Sequence, residues 1–583
     1  MKLSSKLTTC LTALLFLIIS NNLTAQCNIG IVNLYTQAEV DAFQSTLPSG
    51  CTQLTGELNI GNFTNGIMNI DALNFITMVT GDIFMQGTNI SNLNGFANLS
   101  VINGNFTIFN VTSIPNIDPL SQLTSISGEL QINQCGLENI NGLGLLGTVG
   151  GNFVINNCPN IDSISNLSNL NTVGGYFEVR NNMSLKSIST FGGISSINGR
   201  FTVLENPVLE TINAFQNLST LAGEYSIKTC PLLTTINTAP LLTVISGNLE
   251  LRGLTNLNSL IGLQNIETIM GNFDIVNCTS ITSIDNFAKV TVIQNALNIS
   301  NLDKLSDTNI LPMLTTIGSG IVLELLDSLP ATPTLSNVTS FTGNVKIANN
   351  YNMTTINCLP QISTLVPTID ILTNTKLYQL GGFDQVPSLT NLNIEGNPDL
   401  YEITAFSNLI TIDGLLIIFE NNSLIYMDGF NALQTIAEGD ISENDEMRGI
   451  DAFTSVSSAD FLAIFDNPSL HRYCGLYNLA NVDADAEFDI TGNEYNSSKV
   501  EITAGGSCRT FGIVQNTYAT LAEAISAASP NQTIESLKNY TQPTNIILPS
   551  NLIWKHFAPF QFDINGTLTI DGMLINESIL NID

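Results

Sequence analysis

Few side chains in this sequence are equipped for acid–base chemistry. His471 and His556 are the only histidines. Two histidines cannot build a multi-histidine metal site, and they make a Ser-His or Cys-His dyad improbable. His471 falls near the end of the patterned part of the chain and reads as structural. Carboxylates are plentiful. Asp483, Asp485, Glu487 and Asp489, with Glu494 at the twelfth position, imitate an oxygen-ligand calcium loop. Phe488 stands where such a loop needs glycine for its sharp turn. The acidic group Glu438, Asp440, Glu443, Asp445, Glu446 and Asp451 reads as a solvated face before it reads as a divalent-ion site. No acid pair is singled out by the separation that glycoside cleavage requires. The sequence therefore predicts no catalytic residue, no metal site and no cofactor.

Basic residues carry the sharper signal. Arg180, Lys228 and Arg252 are three of only 17 cations, and they recur in one common phase. Glu178, Glu250 and Asp274 keep the same phase two positions earlier. Charges so spaced are suited to recognising a polar partner. They also suit plain cross-strand pairing, which stabilises a sheet modestly. A second stretch is apolar: Ile417, Phe419, Phe461 and Phe465 share the outward phase. It reads as a partner surface or as a face covered by the C-terminal segment.

These positions acquire meaning from a repeat. Glycine followed by two alternating apolar residues occurs at Gly56, Leu58 and Ile60, again at Gly81, Ile83 and Met85, and at Gly104, Phe106 and Ile108. The phrase returns at Gly128, Gly151, Gly175, Gly199, Gly223, Gly247 and Gly271. The period is about 24 residues, within the range that marks a solenoid array. The phrase resumes at Gly343 and runs in weakening copies to Ile490, about eighteen units in all. Apolar alternation predicts a short strand with one buried face. The glycine is expected to supply a turn that other residues resist. Three residues after the last strand apolar, a fixed slot holds Cys135, Cys158, Asn182, Asn206, Cys230, Cys278, Asn350, Asn374, Asn397, Asn421, Asn444, Asn467 and Asn493. Stacked Asn there can bond the backbone of neighbouring coils. Apolar residues about every third position, such as Leu209, Ile212, Phe215, Leu218 and Leu221, complete each coil. Between 300 and 340, Pro312, Pro330 and Pro333 intrude and the ladder residue is missing, which predicts irregular coils.

The unit resembles a leucine-rich repeat. Its glycine-led strand, followed by Asn-Pro and Leu (Asn206, Pro207 and Leu209; Asn397, Pro398 and Leu400; Asn467, Pro468 and Leu470), is most similar to receptor L-domains and related secreted bacterial repeat proteins. The resemblance implies a mainly β fold, a right-handed parallel β-solenoid, and a binding role. It carries over no catalytic residue. Two residues separate the Asn from the next apolar position, so outer helices are not expected.

Repeat arrays need capped ends. Cys27 and Cys51 bracket the start and Cys474 and Cys508 the finish, and both pairs are expected as disulfides. The ladder cysteines read as buried free thiols. Lys2, Lys6, the apolar run Leu11 to Ile19 and Ala25 read as a signal peptide cleaved after residue 25. The expected organisation is signal 1–25, N-terminal cap 26–55, solenoid and C-terminal cap 56–508, and a short α+β segment 509–583 with a helix near 518–525 and strands at 532–534 and 567–570. That segment is weakly similar to the opening of pectate-lyase-like β-helices.

Composition agrees. The chain has 583 residues, 44% hydrophobic and 11% charged, with a formal net charge of −32. An ordinary domain is about a quarter charged. The acid excess argues against nucleic acid and anionic membranes as partners. No apolar run in the mature chain is long enough to span a membrane. The resulting expectation is a secreted or cell-surface, non-enzymatic protein that binds an extracellular protein or glycan through its sheet, self-association being open. The alternatives are a polysaccharide-active enzyme with its catalytic part in or beyond the C-terminal segment, and a structural surface-layer protein.

Overall fold

The computed structural model describes residues 25–508 other than 64, 65 and 365, and stretches between 511 and 582. The signal peptide expected at 1–25 lies, but for its last residue, outside the described residues. The chain divides into two compact units, residues 1–281 and 282–583. Each contains a parallel β-solenoid, about nineteen turns in total.

In the first unit, strand Ala25–Leu34 pairs in parallel with Cys51–Ile60. One four-residue strand per coil follows, including Ile83–Gln86, Phe106–Phe109, Leu130–Asn133, Phe153–Asn156 and Phe177–Arg180. Phe201–Leu204, Tyr225–Lys228, Leu249–Arg252 and Phe273–Val276 continue the series. Among these four-residue strands register passes from one coil to the next without slip, as in Phe177↔Phe201 and Val179↔Val203, while the first pair carries irregularities near Ala25 and Asn28. A period-two side-chain pattern with one buried face fixes register this strongly. The inward column stacks like on like: Phe153 and Phe177 lie 4.9 Å apart and 6° from parallel, and Phe177 and Phe201 5.5 Å apart. Phe191 and Phe215 stack at 4.8 Å and meet this column edge-on, Phe215 lying 5.1 Å from Phe177. Two-residue strands and further short parallel pairs, such as Ser187–Ser189 with Thr211–Ala214, close each coil around this core. The links are short 3-10 turns rather than outer helices, for example Asn94–Phe96 and Asp118–Gln122.

The repeat glycine has a different role from the one expected. Gly223 does not hold the left-handed backbone. A Cβ there would sit 2.7 Å from the backbone nitrogen of Arg200 and 2.8 Å from the carbonyl carbon of Gly199. Glycine is needed because successive coils touch at this corner. The positive φ falls instead just after the strand, at Asn181, Glu205 and Thr229 (56°, 55° and 54°). That residue turns the chain so that the next one enters the ladder slot. Asn182 Nδ2 donates to the Ile155 carbonyl at 3.2 Å, and its backbone N–H donates to Asn206 Oδ1 at 3.0 Å. Cys135, Cys158, Cys230 and Cys278 fill the same slot as buried free thiols.

In the second unit the ladder runs without a break through Asn350, Asn374, Asn397, Asn421, Asn444, Asn467 and Asn493. The irregularity expected at 300–340 is confined. Leu302 and Leu326 take the ladder slot as buried residues. The strands Ala296–Ser300, Gly320–Glu324 and Asn344–Ala348 still pair in unbroken register.

Disulfides Cys27–Cys51 and Cys474–Cys508 are both formed. Helix Gln37–Ala42, started by a Thr36/Glu39 capping box, lies between the first pair. The C-terminal segment has its own small core. Helix Leu521–Ala527 and strands Thr533–Ser536 and Leu568–Ile570 fall close to their expected places. Trp554 is fully buried and donates to Ser536 Oγ at 3.0 Å.

Candidate binding face

The outward positions of the first unit's strands form aligned columns. Arg180, Leu204, Lys228, Arg252 and Val276 are successive partners, as are Glu178, Thr202, Ser226, Glu250 and Asp274. The phase read from the sequence thus places all six charged residues on one patch of sheet. Four of the six are paired with one another. Lys228 Nζ lies 2.6 Å from Glu250 Oε2, and Arg252 3.0 Å from Asp274. Each of these two cations reaches one coil forward, across the strand boundary, to a carboxylate in the neighbouring column. Arg180 reaches Glu205 only at 3.8 Å, with both side chains nearly half exposed (44% and 47%). Asp274, by contrast, is 4% exposed.

Glu178 has a partner that the phase argument missed. Arg200, set one residue after a repeat glycine, donates to Glu178 Oε2 at 2.8 Å and lies over the Tyr176 ring at 4.3 Å. Tyr176 and Arg200 belong to a third outward column, at the glycine end of the strands. An aromatic residue and a cation one repeat apart in that column were the available signal. Burial pushes the Glu250 carboxyl up, but the Lys228 ammonium, the Ser226 hydroxyl and Arg252 together hold it below the usual carboxylate range. The patch presents partly exposed guanidinium and ammonium donors within an array of paired charges.

The other candidates sort differently. Glu487–Thr491 is a strand paired with Ser458–Phe465, and Asn493 accepts from the Asn467 backbone, so the acidic stretch is a repeat coil and not a calcium loop. Its last carboxylate, Glu494, meets His471 Nδ1 at 2.9 Å. Asp451 pairs with Arg472 at 2.9 Å and lies beside the Cys474–Cys508 bridge, which accounts for its closeness to two sulfurs. Ile417, Phe419 and Phe465 are half-buried, and Phe461 is 40% exposed. The side chain of His556 lies outside the described residues.

The family model described as Receptor L domain matches residues 50–124, from the second strand through the turn Asp118–Gln122. With the parallel coils and the Asn/Cys ladder, that match decides the type. The chain is a leucine-rich-repeat, L-domain-like repeat protein. A crystal structure of a leucine-rich repeat protein from Bacteroides ovatus ATCC 8483 is similar at 14% identity, covering 63% of this chain and 87% of that one, with a TM-score of 0.18. No curated protein matches.

Proposed function

We propose that this protein is a secreted or cell-surface, non-enzymatic binding protein that recognises an extracellular protein or glycan through the outward side chains of its parallel sheet. The observation that carries the reading is the charge patch of Glu178, Arg180, Lys228, Glu250, Arg252 and Asp274, completed by Arg200, on a sheet whose other face is wholly core. A rigid ladder of strands fixes such side chains at one coil's spacing, so ordering them on binding costs little entropy. The Receptor L domain match supports a binding role, since L-domains are typically non-enzymatic. The two disulfides support an extracellular setting. No helix of the described residues is long and apolar enough to cross a membrane.

The test is affinity capture from the native extracellular environment, followed by a dissociation constant for the captured partner. Arg180→Gln with Lys228→Gln is expected to weaken binding about tenfold or more, the usual range for truncated interface hot spots. Unchanged affinity in this variant, with an unchanged melting temperature, removes the patch from the binding role.

A further inference from the structure

The same face of the first unit carries a second feature, several coils before the charge patch. The outward residues Asn59, Phe84, Thr107 and Gln131 are direct neighbours across four successive strands. They floor an open depression of about 340 Å³. One edge is a tied rim. Asp82 accepts from the backbone and side-chain amides of Asn105, at 2.7 and 3.2 Å. Asn105 Oδ1 accepts from the Glu129 N–H, and Glu129 in turn accepts from Asn152 Nδ2 at 2.9 Å. Glu57 completes the lining, and the half-buried Phe84 is its one aromatic residue. Among the described residues, the side chains of Thr107 and Gln131 have no polar partner. Asn59 donates to Asn33 at 3.0 Å, which leaves its own carbonyl oxygen as an acceptor on the floor.

A flat ring flanked by free amide and hydroxyl groups, beside fixed carboxylate acceptors, matches one kind of ligand. A pyranose offers an apolar C–H face and a belt of hydroxyls that both donate and accept. Charge narrows the class further. Lys6 and Arg180 are consecutive cations in the sequence, so no basic side chain belongs to these coils. A uronic, sulfated or sialylated sugar would meet only carboxylates. A cationic peptide would pair with the Glu57, Asp82 and Glu129 carboxylates but would leave the Thr107 hydroxyl and the Gln131 amide unused, whereas a neutral sugar engages both. We propose that this depression is a subsite for a neutral glycan segment, seated on Phe84 and hydrogen-bonded by Thr107 and Gln131. The inference rests on the reading of the sheet as the binding face and names the ligand class of one part of it.

The test is isothermal titration of the full mature chain, disulfides intact, with neutral gluco-, manno-, galacto- and xylo-hexasaccharides, and with oligogalacturonate and oligolysine as comparison arms. At least one neutral hexasaccharide is expected to bind, with affinity little changed by added salt. Phe84→Ala is expected to weaken it about tenfold or more, Phe84→Trp to retain it, and Arg180→Gln with Lys228→Gln to leave it unchanged. Far-UV circular dichroism checks that each variant keeps its strand content. Three outcomes overturn the proposal: no neutral hexasaccharide binds, oligolysine binds instead with steep salt dependence, or sugar binding survives both Phe84→Ala and Gln131→Ala. If Arg180→Gln with Lys228→Gln still abolishes partner capture, the sheet reading stands while the glycan subsite falls.

Discussion

Asn397 accepts from both the backbone and side-chain N–H of Asn374 and donates back to the carbonyls of Ile371 and Glu395. It is fully buried. Asn397→Leu keeps the volume but takes the acceptor from the buried Asn374 backbone N–H and a donor from the Ile371 carbonyl, while the Glu395 carbonyl keeps the Thr373 N–H; each group left unsatisfied costs about 1–3 kcal/mol. The expected loss by urea unfolding is about 2–4 kcal/mol, and a loss under about 1 kcal/mol would show that the ladder is not what holds these turns. Titration separates two other residues. Glu250 is held low, so its stabilisation is present above its unfolded pKa and is lost as pH falls through the folded value. Glu402 is pushed up by burial and by the Asp428 carboxylate, against a hydrogen bond from Gln379. Its contribution is favourable at low pH and is lost as pH rises through the folded value. Glu250→Gln should therefore destabilise the protein at pH 7 and be neutral in acid. Glu402→Gln should stabilise it at pH 7, with a gain that vanishes toward pH 4, both read from denaturation midpoints across pH.

At the scale of strands and turns, the ion pairs differ by burial more than by distance. Arg252→Glu sets a new carboxylate against Asp274, which has almost no water to screen it, and is expected to cost about 1–3 kcal/mol. Arg180→Glu faces a half-exposed Glu205 at 3.8 Å and is expected to cost under about 0.5 kcal/mol. Equal costs in thermal denaturation would mean that burial does not govern the patch. The caps allow a parallel measurement. Cys27–Cys51 closes a 24-residue loop at the first unit's end, and Cys27→Ser with Cys51→Ser should lower that unit's stability by about 2–4 kcal/mol. Strand positions and ladder slots were legible in the sequence because each recurs at fixed phase in a narrow set of residue types, apolar in the strands and Asn or Cys in the slot, and both disulfides because their cysteines bracket the ends of the array. The glycine was legible as a position but not as a cause, because its need arises from the coil beneath, one full repeat earlier. Arg200 escaped for a related reason: its partner Glu178 lies one coil back in a different column, and phase alone matches like positions only. The Phe84 depression is also a product of neighbouring columns, and no single coil announces it.

For the whole molecule, the balance of charge decides how the surface behaves. The chain carries 49 carboxylates against 17 cations, and the cations begin only at Arg180 once the first residues are passed. Apart from the pair made by the buried Asp274, the ion pairs of the charge patch are surface-lying, each worth about 0–1 kcal/mol. Repulsion among the excess carboxylates acts over many coils, because each outward column repeats at strand spacing, about 4.8 Å. Salt weakens both effects, since the screening length falls from roughly 30 Å at 0.01 M to roughly 8 Å at 0.15 M. Pairs at hydrogen-bond distance are much shorter than either length and lose little. Carboxylates two or more coils apart sit inside the first length and outside the second, so their repulsion is what screening removes. The melting temperature is therefore expected to rise by a few degrees when sodium chloride goes from about 10 to about 150 mM, as net self-repulsion is relieved. It should then flatten toward 1 M. A melting temperature that falls over the first interval would show that the paired charges near 180–274 outweigh the unpaired excess, and that the acidity of the remaining coils is already neutralised by bound cations.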